Sequence, residues 1–428
     1  MADPHDPRTS HLDDLAAFVQ ASPSSYHAAH EVARRLGEAG SVALDEGAPW
    51  PSTPGRYHVV RDGAVIGWTL PGDAGPETPF RIVGSHTDSP GFMLKPQPTI
   101  AAHGWLQAGV EVYGGPLLNS WLDRELELAG RVVTDEGEER LVRTGPLLRI
   151  PQLAIHLDRE VNSGLSLDRQ RHTVPVFGAG APGSADLLAI VAERAGLEGA
   201  GRIAGFDLLT ADTAAPARFG LDDSLFASGR LDNLSSVHAS VTALVTAESP
   251  SGFVPVIAAF DHEELGSQSR SGASGPFLED VLRRIAAGLG ASPESRARAL
   301  AASWCLSSDA GHAVHPNYPD RHDPVNRPVP GGGPLLKINA NQRYATDAHG
   351  AALWNRLCAS AGVGYQEFVS NNAVPCGSTI GPLTATRLGV RTVDVGAPLL
   401  SMHSARELAH VDDLMGLHGA ISAFYAGV

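Results

Sequence analysis

Hydrophobic positions along the chain follow two patterns, which predict strands alternating with helices. Short apolar runs that pass directly into polar clusters lie at 80–91, 253–266, 300–312 and 391–404. Stretches with helical spacing of apolar residues separate them, at 233–248, 275–290 and 351–362. Buried strands that alternate with helices favour an α/β fold with a mixed, mostly parallel sheet flanked by helices.

The N-terminal region predicts a helix followed by a hairpin. Residues 22–40 open with Ser and Pro, carry apolar residues at helical spacing and end at Gly40. The apolar runs 56–60 and 64–70 flank an Asp-Gly pair, which is a hairpin signal.

Residues 94–226 have a different pattern. Short alternating runs such as WLQAGVEVYG and LAGRVVTDEG, separated by turn residues, indicate antiparallel β structure. The chain has 428 residues, which is too long for one compact core. We therefore expect a discontinuous domain over 1–93 and 227–428, with a second, β-rich domain inserted at 94–226.

Composition narrows the class of protein. Hydrophobic residues make up 43% of the chain and the formal net charge is −15, which argues against nucleic-acid binding as the main function. Three cysteines without a CxxC spacing predict reduced thiols in a cytoplasmic protein. No signal-peptide pattern and no apolar run of about 18 residues occurs, so we expect no membrane contact.

The polar clusters follow the strands, where open α/β sheets bind their ligands. His86 and Asp88 are two residues apart, which suits a metal-binding histidine with a carboxylate behind it, or a simple hydrogen bond in a loop. Asp232 precedes a helix, where capping by Asp232 or Asn233 is the ordinary alternative to metal binding.

Two adjacent glutamates, Glu263 and Glu264, follow the apolar run PVIAAF. One could hold a divalent ion while the other acts as a general base, and spacing does not say which. A solvated charge pair is the alternative.

Further candidates lie in two C-terminal segments. The segment SSDAGHAVHP contains Asp309, His312 and His315, and SMHSARE contains His403. A polar loop and a structural histidine are the ordinary explanations.

Together these strand ends supply the ligands that two neighbouring Zn²⁺-type ions require. The set is His86, Asp232, Glu264, Asp309 and His403. A bridging carboxylate holds two cations about 3.5–4 Å apart in two-metal hydrolases. If Glu264 is a ligand, Glu263 is left to take a proton from the bridging water.

The chain resembles the aspartyl aminopeptidases, two-metal exopeptidases that act on an N-terminal acidic residue. The motifs that carry the resemblance occur in family order over nearly the whole chain. They are GSHTDSPGFMLKPQP (84–98), PQLAIHLDREVN (151–162), RLDNLSS (230–236), DHEELGSQSRSGA (261–273), SSDAGHAVHPNYPDRHDP (307–324), LLKINANQRYATD (335–347), VPCGSTIGP (374–382) and GAPLLSMHSARE (396–407).

The resemblance implies a zinc-peptidase fold and a role for each candidate. His86 and Asp309 would complete one metal site, Glu264 and His403 would complete the other, and Asp232 would bridge them. Asp88 would orient His86, and Glu263 would be the general base. It also implies two divalent ions per subunit, with zinc as the first expectation and cobalt or manganese as alternatives.

The same resemblance implies an assembly and a substrate pocket. The inserted segment corresponds to the family's dimerisation domain, and His156 to a histidine that reaches a neighbouring subunit's active site in tetrahedral dodecamers. Lys337 and Tyr344 correspond to pocket positions, and His315 is a third candidate there. A lysine suits an acidic substrate side chain, although a surface lysine is the ordinary alternative.

Other functions stay open at this stage. One is an aminopeptidase of broader specificity on the same scaffold. Another is a non-catalytic, metal-dependent assembly protein, which the retention of all the ligand candidates disfavours. A two-metal phosphoesterase would need a phosphate-binding glycine loop, and PGGGP lacks its Lys-Ser/Thr ending.

Overall fold

A computed structural model describes residues 7–248 and 251–428. The chain forms two compact units. The first contains Met1–Asp88, Ala217–Met402 and Leu408–Val428, and the second contains Ser89–Pro216 and His403–Glu407. Within the described residues, no helix is both long and apolar enough to cross a membrane.

The helices of the described residues are numbered in chain order. They are α1 (Pro7–Ala21), α2 (Ser25–Glu38), α3 (Leu187–Arg194), α4 (Leu231–Thr246), α5 (Phe277–Gly288), α6 (Pro293–Ala301), α7 (Ala348–Ala361), α8 (Ile380–Leu388) and α9 (Val411–Ala426).

The strands are numbered in the same way. They are β1 (Val42–Ala43), β2 (Gly55–Arg61), β3 (Ala64–Leu70), β4 (Phe80–His86), β5 (Gly91–Ala102), β6 (Trp105–Tyr113), β7 (Leu126–Thr134), β8 (Glu139–Arg143), β9 (Val176–Ala179), β10 (Ile203–Asp212), β11 (Ala217–Phe219), β12 (Leu225–Ser228), β13 (Val254–Phe260), β14 (Trp304–Ser308), β15 (Gly311–His312), β16 (Leu335–Ile338), β17 (Gln366–Val369), β18 (Arg391–Gly396), β19 (Pro398–Leu400) and β20 (Glu407–His410).

The first unit is built on a mixed sheet in the order β1-β2-β3-β13-β4-β14-β18-β16-β17. Its centre is parallel: β4 pairs with β13 on one side and with β14 on the other, and β14 pairs with β18. Phe260 lies opposite His86 in this register, so β13 and β4 end side by side. A smaller sheet has the order β11-β12-β20-β19-β15.

Helices cover both faces of the large sheet. Strand β13 is buried at every position, and its side chains alternate between two hydrophobic clusters. Ile257 packs in the cluster that includes residues of α1, α2, α4, α7 and α9. Val256 and Ala258 pack in the cluster that includes residues of α5 and α8. This two-sided burial explains why the strand reads as a continuous apolar run.

The second unit contains an antiparallel sheet in the order β8-β7-β10-β5-β6-β9. Phe92 and Leu128 are buried in its core together with Leu187 and Val191 of α3. The alternating runs of the sequence therefore form antiparallel strands here.

The mixed α/β fold with helix-flanked sheets is confirmed. The segment 300–312 differs from its predicted pattern, because its first two residues end α6 and the strand begins only at Trp304. The predicted domain boundaries at 93/94 and 226/227, and the dimerisation role of the insert, stay predictions.

Candidate functional site

The candidate ligands of the first unit lie at or just after the ends of three neighbouring parallel strands, and at the start of α4. His86 is the last residue of β4, and Asp309 directly follows β14. Glu263 and Glu264 form a short 3₁₀ turn after β13. Asp232 lies in the first turn of α4, where its backbone is not yet helical (φ −82°, ψ 101°).

His86 is the centre of a buried group. Its Nε2 lies 3.2 Å from Oδ1 of Asp232 and 3.5 Å from Oδ1 of Asp309. Its Nδ1 donates to the carbonyl oxygen of Asp88 at 3.0 Å. In the neutral ring, which has one proton, this hydrogen bond would leave the Nε2 lone pair directed towards the two carboxylates. A ring fixed in this tautomer is suited to metal binding.

Asp88 also fixes the adjacent glutamates. Its two carboxylate oxygens accept the backbone N–H groups of Glu263 at 3.0 Å and of Glu264 at 3.2 Å. The preceding residue, His262, has a left-handed φ of 63°, which is strained for a residue with a side chain. One carboxylate therefore connects the end of β4 to the turn after β13, a contact that the spacing of His86 and Asp88 did not predict.

The electrostatics of the group favour a cation. Burial raises the pKa of Glu263 to about 7; His86 opposes this rise, and the carboxylates of Asp309, Asp88 and Asp232 add to it. Burial lowers the pKa of His86, but its hydrogen bonds to Asp232, Asp309 and Asp88 raise it well above its ordinary value. Buried like charges of this kind repel one another unless a positive charge lies among them.

The donor set fits a divalent metal ion. Ligand atoms of His86, Asp232 and Asp309 all lie within 4.8 Å of one another, and so do those of His86, Glu263 and Glu264. Nitrogen and carboxylate oxygen are the ligands that Zn²⁺ and similar ions use in catalytic sites.

Asn233 is a supporting residue that the sequence analysis treated only as a possible helix cap. Its Nδ2 donates to the carbonyl oxygen of Ser308 at 2.9 Å. Because Ser308 directly precedes Asp309, this bond ties the Asp232 segment to the end of β14. Its position next to Asp232 in the sequence is the signal from which this supporting role could have been predicted.

Lys337 is almost fully buried in β16, so its interpretation as a surface lysine is wrong. Its Nζ donates to the carbonyl oxygen of Ala310 at 2.7 Å and lies 3.9 Å from Oδ2 of Asp309. The ammonium also lies 5.4 Å from the ring centre of Tyr344. Lys337 therefore adds positive charge next to one candidate ligand.

A cavity of about 210 Å³ lies beside Tyr344. It is lined by His312, Arg321, His322, Tyr344, Phe368, Val369, Ser370, Asn371, Val374, Pro375, Cys376 and Gly377. A neighbouring cavity of about 380 Å³ shares His312, Arg321 and His322 with it and also includes His315. Sequence reasoning missed Arg321 and His322, which flank no strand end and match no ligand spacing.

His403 and His156 belong to the second unit. His403 has a left-handed φ of 66°, and its Nδ1 donates to the carbonyl oxygen of Gly115 at 3.0 Å. Its backbone N–H donates to Oε1 of Glu407 at 2.8 Å. His156 is exposed in the segment between β8 and β9.

Comparison with known proteins identifies a family. Residues 18–425 match the family model described as aminopeptidase I zinc metalloprotease (M18). A probable M18 family aminopeptidase 2 from Streptomyces avermitilis is 54% identical over 423 residues, which cover 97% of this chain and 98% of the relative. Its counterpart from Streptomyces coelicolor is 52% identical over 420 residues, which cover 97% of each chain.

Solved structures agree with this match. A chain of the Ape4 and Nbr1 complex superposes with a TM-score of 0.94 at 36% identity, covering 98% of this chain and 86% of that one. A chain of the S. cerevisiae mApe1 dodecamer has a TM-score of 0.86 at 28% identity, covering 99% of this chain and 98% of that one.

Proposed function

The chain belongs to the M18 family of zinc metalloproteases and is a zinc-dependent aminopeptidase, and we propose that it removes acidic residues, Asp or Glu, from the N-termini of peptides. The observation that supports the hydrolytic reaction is the buried group of His86, Asp232 and Asp309 with the turn Glu263–Leu265 beside it. Such a group provides metal ligands and a neighbouring carboxylate that can move protons.

We propose two divalent ions per subunit, most simply zinc, with cobalt or manganese as alternatives. His86 and Asp309 would hold one ion, Glu264 and His403 the other, and Asp232 would be shared. When bound, such ions polarise a peptide carbonyl and make water more acidic. Asp88 acts through its neighbours: its carbonyl oxygen holds the His86 tautomer and its carboxylate holds the backbone of both glutamates.

Glu263 is the proposed general base. Its backbone is fixed by Asp88, and its carboxylate lies in the same group as the ring of His86. In peptide hydrolysis it would take a proton from the attacking water and deliver it to the departing amine as the C–N bond breaks. A base held on a hydrogen-bonded turn keeps this geometry without reorganisation.

The proposed acidic preference rests on the cavity beside Tyr344. Arg321, His312 and His322 supply cationic or titratable nitrogen around it. Lys337, Tyr344 and His315 are retained as substrate-binding candidates. A substrate carboxylate would find charge-assisted hydrogen bonds there that a leucine side chain cannot make.

A broader-specificity aminopeptidase is the second candidate, and one observation favours it. The ammonium of Lys337 already donates to Ala310 and lies near Asp309. Its charge is therefore partly balanced within the site.

We also propose a cytoplasmic homo-oligomer, a tetrahedral dodecamer of dimers joined through the inserted domain, in which His156 serves a neighbouring active site. A structural neighbour is a dodecamer. Leu153, Ile155 and Leu157, beside the exposed His156, are 60%, 46% and 74% exposed. Exposed apolar side chains grouped in this way are typical of an interface. Peptides, and neither nucleic acid nor membrane, are the expected partners.

Glu263→Gln tests the general base. The substitution is nearly isosteric and leaves the proposed ligands in place, so the variant should keep its metal. Its kcat should fall by roughly 10²–10⁴-fold, the usual contribution of general-base catalysis. Glu294→Gln, on α6, is the matched control and should behave as the wild type. Near-normal turnover by metal-replete Glu263→Gln would reject the assignment.

Arg321→Met tests the acidic preference with aminoacyl chromogenic substrates. Loss of a charge-assisted hydrogen bond of about 1.5–3 kcal/mol should lower kcat/KM for Asp and Glu substrates about 10–100-fold. Leu substrates should change little, because they make no such bond. Arg327→Met, exposed in the same segment, is the control.

Lys337→Met should lower activity on every substrate if its main effect is on Asp309, and on acidic substrates alone if it contacts them.

A wild-type preference for Leu or Ala would remove the acidic assignment and leave the broader aminopeptidase. Equal losses on all substrates in Arg321→Met would show that Arg321 maintains the site without selecting the residue.

Subunit mixing tests the role of His156. Inactive His156→Ala and inactive Glu263→Gln chains should regain activity when they co-assemble, because one chain's metal centre can then meet the other chain's His156. His103→Ala, in the same unit, should be active alone. If verified subunit exchange restores nothing, His156 does not act across subunits.

A further inference from the structure

Asp394 is a fully buried carboxylate in β18 that the proposed mechanism does not use. Its Oδ1 accepts the hydroxyl of Thr379 at 2.5 Å, and its Oδ2 accepts the backbone N–H of Ala345 at 2.6 Å. Its own N–H donates to the hydroxyl of Thr346 at 2.9 Å. A carboxylate buried this deeply is stable only when hydrogen bonds replace water, so these partners are required.

The two segments that meet at Asp394 are walls of the cavity beside Tyr344. Ala345 directly follows Tyr344, and Thr379 comes three residues after Cys376; Tyr344 and Cys376 both line the cavity. The side chain of Cys376 also packs against the small hydrophobic cluster that contains Tyr344. The carboxylate therefore holds the backbone behind each wall.

A second set of contacts joins the same walls. Arg343 Nε donates to the carbonyl oxygen of Gly377 at 3.2 Å, and the hydroxyl of Ser378 donates to the carbonyl oxygen of Arg343 at 3.3 Å. Both bonds lie at exposed positions, where water competes with them. The bonds to Asp394 are better shielded from water: the bond from Thr379 is buried and the bond from Ala345 is part-buried.

The local sequence fits this arrangement closely. Thr379 is the N-cap of α8, and its hydroxyl accepts the N–H of Gly381 while donating to Asp394. A Cβ atom at Gly381 would lie only 2.4 Å and 2.5 Å from the two carboxylate oxygens, so glycine is the residue that lets the carboxylate approach the helix start. The positive end of the helix dipole favours an anion there.

We propose that Asp394 is a positioning residue for the substrate cavity, which sets the separation of the Tyr344 and Cys376 walls by holding Ala345 and Thr379. The proposal rests on the proposed function, in which this cavity receives the N-terminal side chain of the peptide. Asp394 does not contact the substrate, so its effect should fall on KM more than on kcat.

Cys376 provides a readout that does not depend on activity. It is partly exposed in the cavity wall, whereas Cys305 and Cys358 are buried. The rate at which N-ethylmaleimide alkylates Cys376 in the folded, metal-loaded enzyme, measured by peptide mass spectrometry, reports how firmly the wall is held. The two buried thiols serve as the reference for unfolding.

Thr379→Val is the central variant, because it keeps the shape of the side chain and removes the hydroxyl donor. Losing one buried hydrogen bond should loosen the wall, and both the labelling rate of Cys376 and KM should rise roughly tenfold. The metal content and kcat should stay close to those of the wild type. Thr379→Ser restores the hydroxyl and should return both quantities towards wild-type values.

Two further variants complete the test. Ser292→Ala removes the N-cap of α6, which lies outside the cavity lining, and should change neither quantity; it measures the effect of losing a helix cap as such. Asp394→Asn keeps the volume but leaves one carbonyl oxygen for two donors. It should also raise the labelling rate of Cys376, and it replaces Thr379→Val in the test if that variant does not fold.

The outcomes distinguish the positioning role of Asp394 from the assignment of the cavity to the substrate. Unchanged labelling of Cys376 in folded Thr379→Val and Asp394→Asn would overturn the positioning role. Faster labelling with an unchanged KM would support the hold on the wall and contradict the assignment of the cavity to the substrate. A loss of kcat and metal content with KM unchanged would place Asp394 in support of the metal site and overturn the proposal.

Discussion

Mutual repulsion among buried carboxylates is the constraint on which the site depends. Asp232 and Asp309 lie within 3.5 Å of the same nitrogen of His86, and Glu263 and Glu264 form a second group with the same ring. Two unit charges 4 Å apart interact by about 4 kcal/mol at an effective dielectric constant of 20. A protein keeps such an arrangement where a cation balances it, and the rigid sheet beneath holds the ligands ready for that cation.

The fold supplies that rigidity in a simple way. Strands β4, β13 and β14 are neighbours in parallel register, so their carboxyl ends meet at one edge. The strands are buried between two layers of helices, and they cannot shift without opening the core. Asp88 then fixes the turn after β13 relative to the end of β4, because its carboxylate accepts the backbone N–H groups of both glutamates.

The ends of the strands could be predicted from the sequence because their signal is local. An apolar run followed at once by ionisable residues, as at PVIAAF and then Asp261 to Glu264, marks the end of a buried strand wherever it occurs. The family motifs imply different roles for Glu263 and Glu264, which spacing alone could not assign. The antiparallel character of the second unit follows from the same kind of pattern, whereas the order of the strands in the large sheet was not predicted.

Other features depend on contacts between distant segments, which no local pattern encodes. Lys337 resembles a surface residue in sequence, and its burial follows from the pairing of β16 with β18. Asp394 stands between Val393 and Val395 in β18, and its partners lie 15 and 49 residues away. The helical start of the segment at 300 was missed because the sequence LAAS is compatible with both a helix and a strand. Only the structure shows that α6 extends to Ala301.

The most direct test of the account is the metal content of purified Asp232→Ala, measured by elemental analysis beside the wild type and Glu294→Ala. The account predicts two divalent ions per chain in the wild type and in Glu294→Ala. It predicts depletion of both in Asp232→Ala, because a shared carboxylate serves both sites. Loss of a single ion from Asp232→Ala, or a wild type with one ion, would contradict the shared two-metal centre.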